Sequence, residues 1–473
     1  MNIYKKLVNN SLIFAVGNLG TKLLIFFLVP LYTFYLTEKE FGMVDLLTTT
    51  LSFLIPIFTL SVFDSVLRFA MDEKYDKQAV LSNSLIIIII GFFLLISLYP
   101  LFVHILPFNN YMFYFYTIVL LQAINTTLTQ YVRAIGMVKL FAGSGIVNAF
   151  ILLVSNILFL MVFHMGIVGY LVSLIIANMV SCVFVITLGK IQYDFSTRKL
   201  NMILVKEMLI YSVPLIPNAL MWWIMGLSDR YIITYYMGLG ANGIYAVANK
   251  IPGVLNIINS IFFQAWQISA IEEVNSKSKS KFFSNVFNVF STLMLLSTSF
   301  FLIFLKKIAD ILVSNNFPEV WRYIPFLLLG VVFSSFSGFL GTNYIAAKKT
   351  RGVFKTSAIG AIVNIVINLL LVPVIGINGA SLGTMLSFLI IWILRVKDTK
   401  KFVDLQINSL KIITMIAIIS VQIYILYIEL SIEYLLQIAL FLIMMLVNFS
   451  EIKEIVNKIL NIIKKKYYRS REM

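Results

Sequence analysis

Leu85-Ile-Ile-Ile-Ile-Ile90 is apolar on every face. A membrane β-strand alternates apolar and polar residues over about ten positions, so an unbroken run of this kind belongs to a helix immersed in hydrocarbon. Outward from it, apolar stretches of similar character recur from Ser11 to Ser450. Each approaches the roughly 20 residues that a helix needs to cross a ~30 Å bilayer core. The chain has 473 residues, 60% hydrophobic and 12% charged, with a mean hydropathy of +0.94. Soluble domains carry about 25% charged residues, so a soluble globule is excluded. The expectation is an all-α integral membrane protein of about fourteen transmembrane helices.

The helices are expected at about Ser11–Tyr35, Phe41–Val66, Ser82–Ile105, Met112–Val132, Phe141–Phe163, Gly166–Leu188, Met208–Tyr236 and Gly243–Ile271. Six more follow at about Phe282–Leu305, Tyr323–Ala346, Ser357–Val374, Ile377–Leu394, Ile412–Tyr427 and Ile432–Phe449. Cytoplasmic connections carry the Lys/Arg excess. With both termini inside, all but seven of the 37 Lys and Arg residues fall in inner segments. Four exceptions, Lys39, Lys306, Lys307 and Arg322, lie in outer connections, and Lys306 to Arg322 is the one discordant stretch. The other three, Lys22, Arg230 and Lys250, lie inside helices, while Arg395 is counted with the inner loops.

The formal charge of +16 is thus spread over loops, and a nucleic-acid partner, which needs one basic soluble face, is not expected. Cys182 stands alone, so no disulfide framework or cysteine metal site is expected. Lys5 and Lys6 precede an apolar segment that runs to Tyr35 without a small-residue cleavage site, as in a retained first helix. Beyond Ser450, Ile452, Ile455, Val456, Ile459 and Ile463 recur at helical spacing among lysines. A basic amphipathic helix over 451–473, lying on the lipids of the inner leaflet, is expected.

An internal duplication divides the helices. Val147-Asn148, Asn156 and Gly166-Ile-Val-Gly169 in the fifth-to-sixth hairpin parallel Val363-Asn364, Asn368 and Gly376-Ile-Asn-Gly379 in the eleventh-to-twelfth. Leu36 to Gly42 opens helix two as Met237 to Gly243 opens helix eight. Because each half has an even number of helices, the repeats are parallel, an architecture of transporters. The division is 1–200, 201–400, two further helices in 401–450, and the tail.

An intramembrane charge costs about 2.5–3.5 kcal/mol and is a functional candidate by default. Lys22, Asp229, Arg230 and Lys250 together cost roughly 10–14 kcal/mol, so a hydrated cavity is expected around them. With the outer connection read as Gly238 to Asn242, Arg230 and Lys250 each lie about 12 Å below it, and Lys22 about 20 Å below Tyr35. Asp229 either neutralises one cation or staples two helices together. The surplus positive charge suits an anionic substrate such as a phosphate. Asn18, Asn218, Asn249, Gln264 and Gln267 share these helices and suit sugar hydroxyls or interhelical hydrogen bonds. Pro30, Pro56, Pro214, Pro217 and Pro252 interrupt the same helices as hinges or static bends. His104 and His164 carry no metal or proton-relay expectation.

Gly17-Asn-Leu-Gly-Thr-Lys22, Tyr35-Leu-Thr-Glu-Lys-Glu-Phe-Gly42 with Asp45-Leu46, Ser228-Asp-Arg-Tyr231 and Gly243-Ile-Tyr-Ala-Val-Ala-Asn-Lys250 together resemble the Wzx-type polysaccharide flippases. These form the polysaccharide transporter branch of the superfamily that also holds the MATE multidrug exporters and the lipid II flippases. The resemblance implies two six-helix bundles around a central cavity, two extra C-terminal helices, and no cofactor. It implies flipping of a polyprenyl-pyrophosphate-linked oligosaccharide across a bacterial cytoplasmic membrane for O-antigen, capsule or other surface polysaccharide. Lys22, Arg230 and Lys250 would hold the pyrophosphate; a polymerase and a chain-length regulator would be partners. Coupling to H+ or Na+ stays open. A MATE-type cation antiporter would want the opposite cavity charge, and a membrane polymerase or glycosyltransferase a larger outer loop.

Overall fold

The computed structural model describes residues 20–22, 24, 26–273, 279–346, 350–401, 403 and 405–449, with the side chains of 261, 264, 265, 267–273, 345, 346, 350 and 351 left out. The expected tail helix, Asn18 and the side chains of Gln264 and Gln267 lie outside what is described.

The described chain is helical throughout. Its first half comprises α1 (Gly20–Tyr35), α2 (Glu38–Phe58), α3 (Val62–Ala70), α4 (Lys77–Ser97), α5 (Tyr99–Ile105), α6 (Met112–Ala134), α7 (Val138–Asn156) and α8 (Gly166–Gly189). The second comprises α9 (Met202–Ser212), α10 (Ile216–Leu227), α11 (Asp229–Lys250), α12 (Gly253–Glu273), α13 (Lys279–Ile303), α14 (Leu305–Leu312), α15 (Ile324–Ala346), α16 (Thr350–Ile375) and α17 (Ile377–Thr399), followed by α18 (Ser409–Ile428) and α19 (Glu433–Val447). Among the described residues, ten helical runs are long and apolar enough to cross a membrane, with shorter apolar helices at Gly20–Tyr35 and Glu433–Val447. Length and hydropathy alone therefore stop short of fourteen. One run, Met202–Ser260, spans 59 residues and holds more than one crossing. Leu36, Gly238 and Lys306 lie on the face expected to be outer from the charge bias.

Two apolar cores organise the chain. One gathers residues from Val44 to Met208; the other gathers residues from Met225 to Met444 together with Leu28, Val29 and Tyr32 of α1, Leu36 just after it, Phe41 of α2, and Leu152, Leu160 and Ala177 from the α7–α8 hairpin. The outer end of α1 thus packs with the second half. Conversely α9 packs on α3 and α4, and its Leu204 and Met208 belong to the first core, past the boundary expected at residue 200. Helix seven is divided at the Val213–Leu215 turn, where Pro214 and Pro217 cannot donate the hydrogen bonds of a continuous helix.

The same local geometry recurs in both halves. Gly166 and Gly376, the first glycines of the repeated Gly-Ile-X-Gly motif, open α8 and α17 with φ of 54° and 64°. Left-handed backbone of this kind favours glycine. At the second glycines, a Cβ would lie 3.1 Å from the Phe159 carbonyl oxygen at Gly169 and 2.6 Å from that of Leu371 at Gly379. In both hairpins the motif combines a turn with close helix packing.

The discordant outer segment also has a physical reason. Lys306 pairs with Glu433 at 2.7 Å, and Arg322 with Glu429 and Glu319, each at 3.1 Å. Trp321 lies under both cations. Glu429 and Glu433, at the end of α18 and the start of α19, together with Glu319 therefore balance this positive charge, and the appended pair is clamped to α14 and to Arg322 after it.

A candidate cation-lined cavity between two halves

The hairpin after Arg230 decides the depths of the charged residues. α11 is broken at Gly238, with φ 86° and ψ 176°. The Tyr245 hydroxyl donates to Asp229 Oδ2 although 16 residues separate them. In a straight helix that separation is about 24 Å, so the chain folds back at Gly238. The turn lies nearer Arg230 than the sequence spacing suggests. Counting from it, Arg230 is about 12 Å deep and Lys250 about 18 Å, a helical turn lower. The expectation that these two share a level is corrected: Lys250 shares its level with Lys22.

Three layers result. At the top, α2 crosses the second arm of the hairpin at two reciprocal glycines. A Cβ on Gly42 would sit 1.9 Å from the Leu239 carbonyl oxygen, and one on Gly243 would sit 1.9 Å from that of Glu38. Only glycine permits backbones so close. Asn242 Nδ2 donates to the Gly42 carbonyl at 2.9 Å, and Thr37 with Glu40 caps α2 beside it. Phe41 meets Phe317 edge-on, while Thr33 bonds the backbone of Leu312 and Ser314. Here the halves are sealed.

Below lies a buried charge layer. Arg230 Nε donates to Asp45 Oδ2 at 2.8 Å, and Nη1 donates to Asp229 Oδ1 at 3.2 Å and to the Gly226 carbonyl at 3.0 Å. Both side chains of the Arg230–Asp45 pair are 8% exposed. Asp229 Oδ2 also accepts from Thr384 at 3.1 Å. Spacing alone missed Asp45, which entered only as part of a family motif. The missed signal is the same depth count: from Thr37, Asp45 lies about 12 Å down, level with Arg230.

The third layer is open. Lys22, Phe26 and Val29 of α1 face Asn249, Lys250, Gly253, Asn256 and Ile257 across a cavity of about 230 Å³. Among the described residues neither lysine has a carboxylate within ion-pair distance. The expected cations thus separate into two kinds: Arg230 is held by two carboxylates, whereas Lys22 and Lys250 present free ammonium groups to shared space. Asn249 lines the same cavity while donating to the Tyr245 carbonyl at 3.0 Å. Asn218, on α10, has a buried side-chain oxygen without a partner. Pro30 lies within α1, Pro56 within α2, and Pro252 between α11 and α12.

Beside the charge layer, Ser228 and Asn368 both donate to Asn364 Oδ1, at 3.3 and 3.1 Å. Asn368 Oδ1 is buried and unpartnered against Gly383, the residue before Thr384 on α17. Among the described residues, no group of three or more His, Cys, Asp or Glu could hold a metal ion. Arg395 corrects the loop tally: it lies inside α17, 1% exposed, donating to Thr356, the Ser337 carbonyl and Ser357 at 2.8–3.0 Å.

Residues 7–268, more than half of the chain, match the family described as polysaccharide biosynthesis protein. The chain belongs to this family. Among solved structures it is similar to the lipid II flippase MurJ in an inward closed conformation, with a TM-score of 0.70 at 13% identity over 93% of this chain and 100% of that one. An inward-facing multidrug resistance MATE family transporter of the MOP superfamily gives a TM-score of 0.68 at 12% identity, covering 80% and 95%. At these identities the likeness is one of fold: a multi-pass membrane protein built as the MurJ and MATE transporters are. An uncharacterised membrane protein of Methanocaldococcus jannaschii is 26% identical over 234 residues, a match spanning 45% of this chain and 45% of that relative's length.

Proposed function

We propose that this family member is a flippase that moves a polyprenyl-pyrophosphate-linked oligosaccharide from the inner to the outer leaflet of a bacterial cytoplasmic membrane, for O-antigen, capsule or a related surface polysaccharide. The observation that carries it is the pair of ammonium groups, Lys22 and Lys250, that face one cavity between the halves without an ion-pair partner among the described residues. Two lysines without carboxylates are expensive in a membrane unless an anion visits them. A pyrophosphate offers two charges and several strong acceptors, and Asn249 and Asn256 beside the lysines supply donors for sugar hydroxyls.

Alternating access fits this arrangement. The division is two six-helix halves, two appended helices and a cytoplasmic tail, with fourteen crossings and both termini inside. The halves rock about Pro214 and Pro217, aided by bends at Pro30 and Pro252, while the lipid tail stays in the bilayer. Arg230, paired with Asp229, forms the next step of the cation ladder; Asn18, Asn218 and Gln264 belong to the headgroup path. Outward passage of a dianion through a 100 mV inside-negative potential gains up to roughly 4.6 kcal/mol. The oxygens around Asp229, Asn368 and Thr384 are the place for a coupling H+ or Na+. A polymerase and a chain-length regulator are the partners downstream.

A MATE-type cation antiporter would place a cationic drug against two lysines, which Coulomb repulsion disfavours. Lys22→Ala combined with Lys250→Ala tests the reading: surface polysaccharide fails to appear in a strain lacking the flippase, although the variant reaches the membrane at parental levels. Export unchanged by both substitutions would sink it.

A further inference from the structure

By depth along α2 and α11, an anion that belongs to the protein lies above the two cavity lysines. Asp45 comes from α2 in the first half and Arg230 from α11 in the second, so their 2.8 Å contact is an ion pair between the halves. Arg230 does not need it for neutrality. Asp229, its sequence neighbour, already pairs with it at 3.2 Å and is itself held by Tyr245 and Thr384. Asp45 is therefore the surplus carboxylate of the cluster. Lys250 lies about one helical turn below Arg230, counted from Gly238. The Asp45 carboxylate, buried with Arg230, thus lies above a cavity whose own lysines have no ion-pair partner among the described residues.

We propose that Asp45 is an internal stand-in for the substrate's pyrophosphate: the dianion, rising from Lys22 and Lys250, displaces the Asp45 carboxylate from Arg230 and so releases the tie between the halves. This rests on the reading of the two lysines as a phosphate site. A diphosphate carries more charge than the single carboxylate it replaces and engages a guanidinium through two parallel hydrogen bonds, so the exchange favours the substrate. It admits a diphosphate ester more readily than a monoanion. After the substrate leaves, Asp45 returns to Arg230 and draws the outer ends together above it, where Gly42 and Gly243 meet. The empty carrier is thereby biased toward the outer-closed form, the direction in which it must return.

The test uses the full-length protein in proteoliposomes, with Cys182→Ala and Leu36→Cys as reporter, since Leu36 is 1% exposed at the outer end of α1. A membrane-impermeant maleimide reports outer opening, and farnesyl diphosphate is the anionic probe. The parent labels slowly and accelerates at least threefold with the probe. Asp45→Asn labels at the accelerated rate without the probe, gains little from it, and binds it severalfold more tightly; Asp45→Glu, which keeps the charge, behaves as the parent. Parental labelling by Asp45→Asn, or equal labelling by the Asn and Glu variants, would overturn the proposal. Probe binding that survives loss of both Lys22 and Lys250 would instead overturn the phosphate site beneath it. Probe binding that needs the lysines but ignores Asp45→Asn would leave that site standing and remove only the exchange.

Discussion

Adding one methyl group at Gly243 should open the outer side of the protein. The new Cβ would lie 1.9 Å from the Glu38 carbonyl oxygen, where ordinary contact begins near 3.4 Å. The crossing helices must part by about 1.5 Å, because a backbone carbonyl within a capped helix cannot swing aside as a side-chain tip can. Overpacking of this kind costs about 1–3 kcal/mol, levied only on the form in which the helices cross. The population of the outer-open form then rises roughly 5- to 150-fold. Gly42→Ala meets the Leu239 carbonyl oxygen at the same 1.9 Å and should act alike. The assay is impermeant maleimide labelling of Leu36→Cys in the Cys182→Ala background. Gly91→Ala is the control: its Cβ would sit 2.0 Å from the Phe58 carbonyl oxygen, entirely within the first half. It should lower the melting temperature without speeding labelling. If Gly243→Ala folds and labels no faster than the parent, or if Gly91→Ala labels as fast, the crossing is not the outer seal.

Three further outcomes follow from the same geometry. Glu433→Gln removes the partner of Lys306 and loosens the segment that touches Thr33 and Phe41, so Leu36→Cys should label faster, by less than with Gly243→Ala. Arg395→Ala deprives Thr356, Ser337 and Ser357 of a shared donor, and detergent unfolding should show a loss of at least ~2 kcal/mol. Arg395→Lys should not restore it, since one ammonium cannot span three acceptors set for a planar fork. On the inner surface, the hydrogen bond from Lys199 holds the Asp76 carboxyl below the usual carboxylate range. Its stabilisation is present above that range and lost as pH falls through the lowered value; Asp76→Asn should flatten the acid limb of melting temperature against pH.

Much of the fold was legible because a membrane imposes long apolar runs. Leu85 to Ile90 falls inside α4, and the Gly-Ile-X-Gly repeats open α8 and α17. Breaks within a crossing were less visible. Leu60 and Ser61 divide helix two with φ of 51° each, although neither residue type signals left-handed backbone. The split of helix seven could be placed at Pro214 and Pro217, but only packing assigns α9 to the first core. At the site, Lys22, Arg230 and Lys250 stood out as cations that no loop could hold. Their pairing did not, because Asp45 and Arg230 are 185 residues apart in sequence. The level of Lys250 was misjudged for a simpler reason: several residues between Met237 and Gly243 could form the turn, and Gly238 does.

We propose that Lys22 and Lys250 carry a pyrophosphate-linked sugar lipid across the membrane. Leaflet-resolved transport of a defined polyprenyl-pyrophosphate oligosaccharide in proteoliposomes tests it most directly. Inner-to-outer movement is expected to be faster with an inside-negative potential and abolished when both lysines are replaced by alanine. Movement that persists in the double variant at the parental rate, or that ignores the potential, would contradict it.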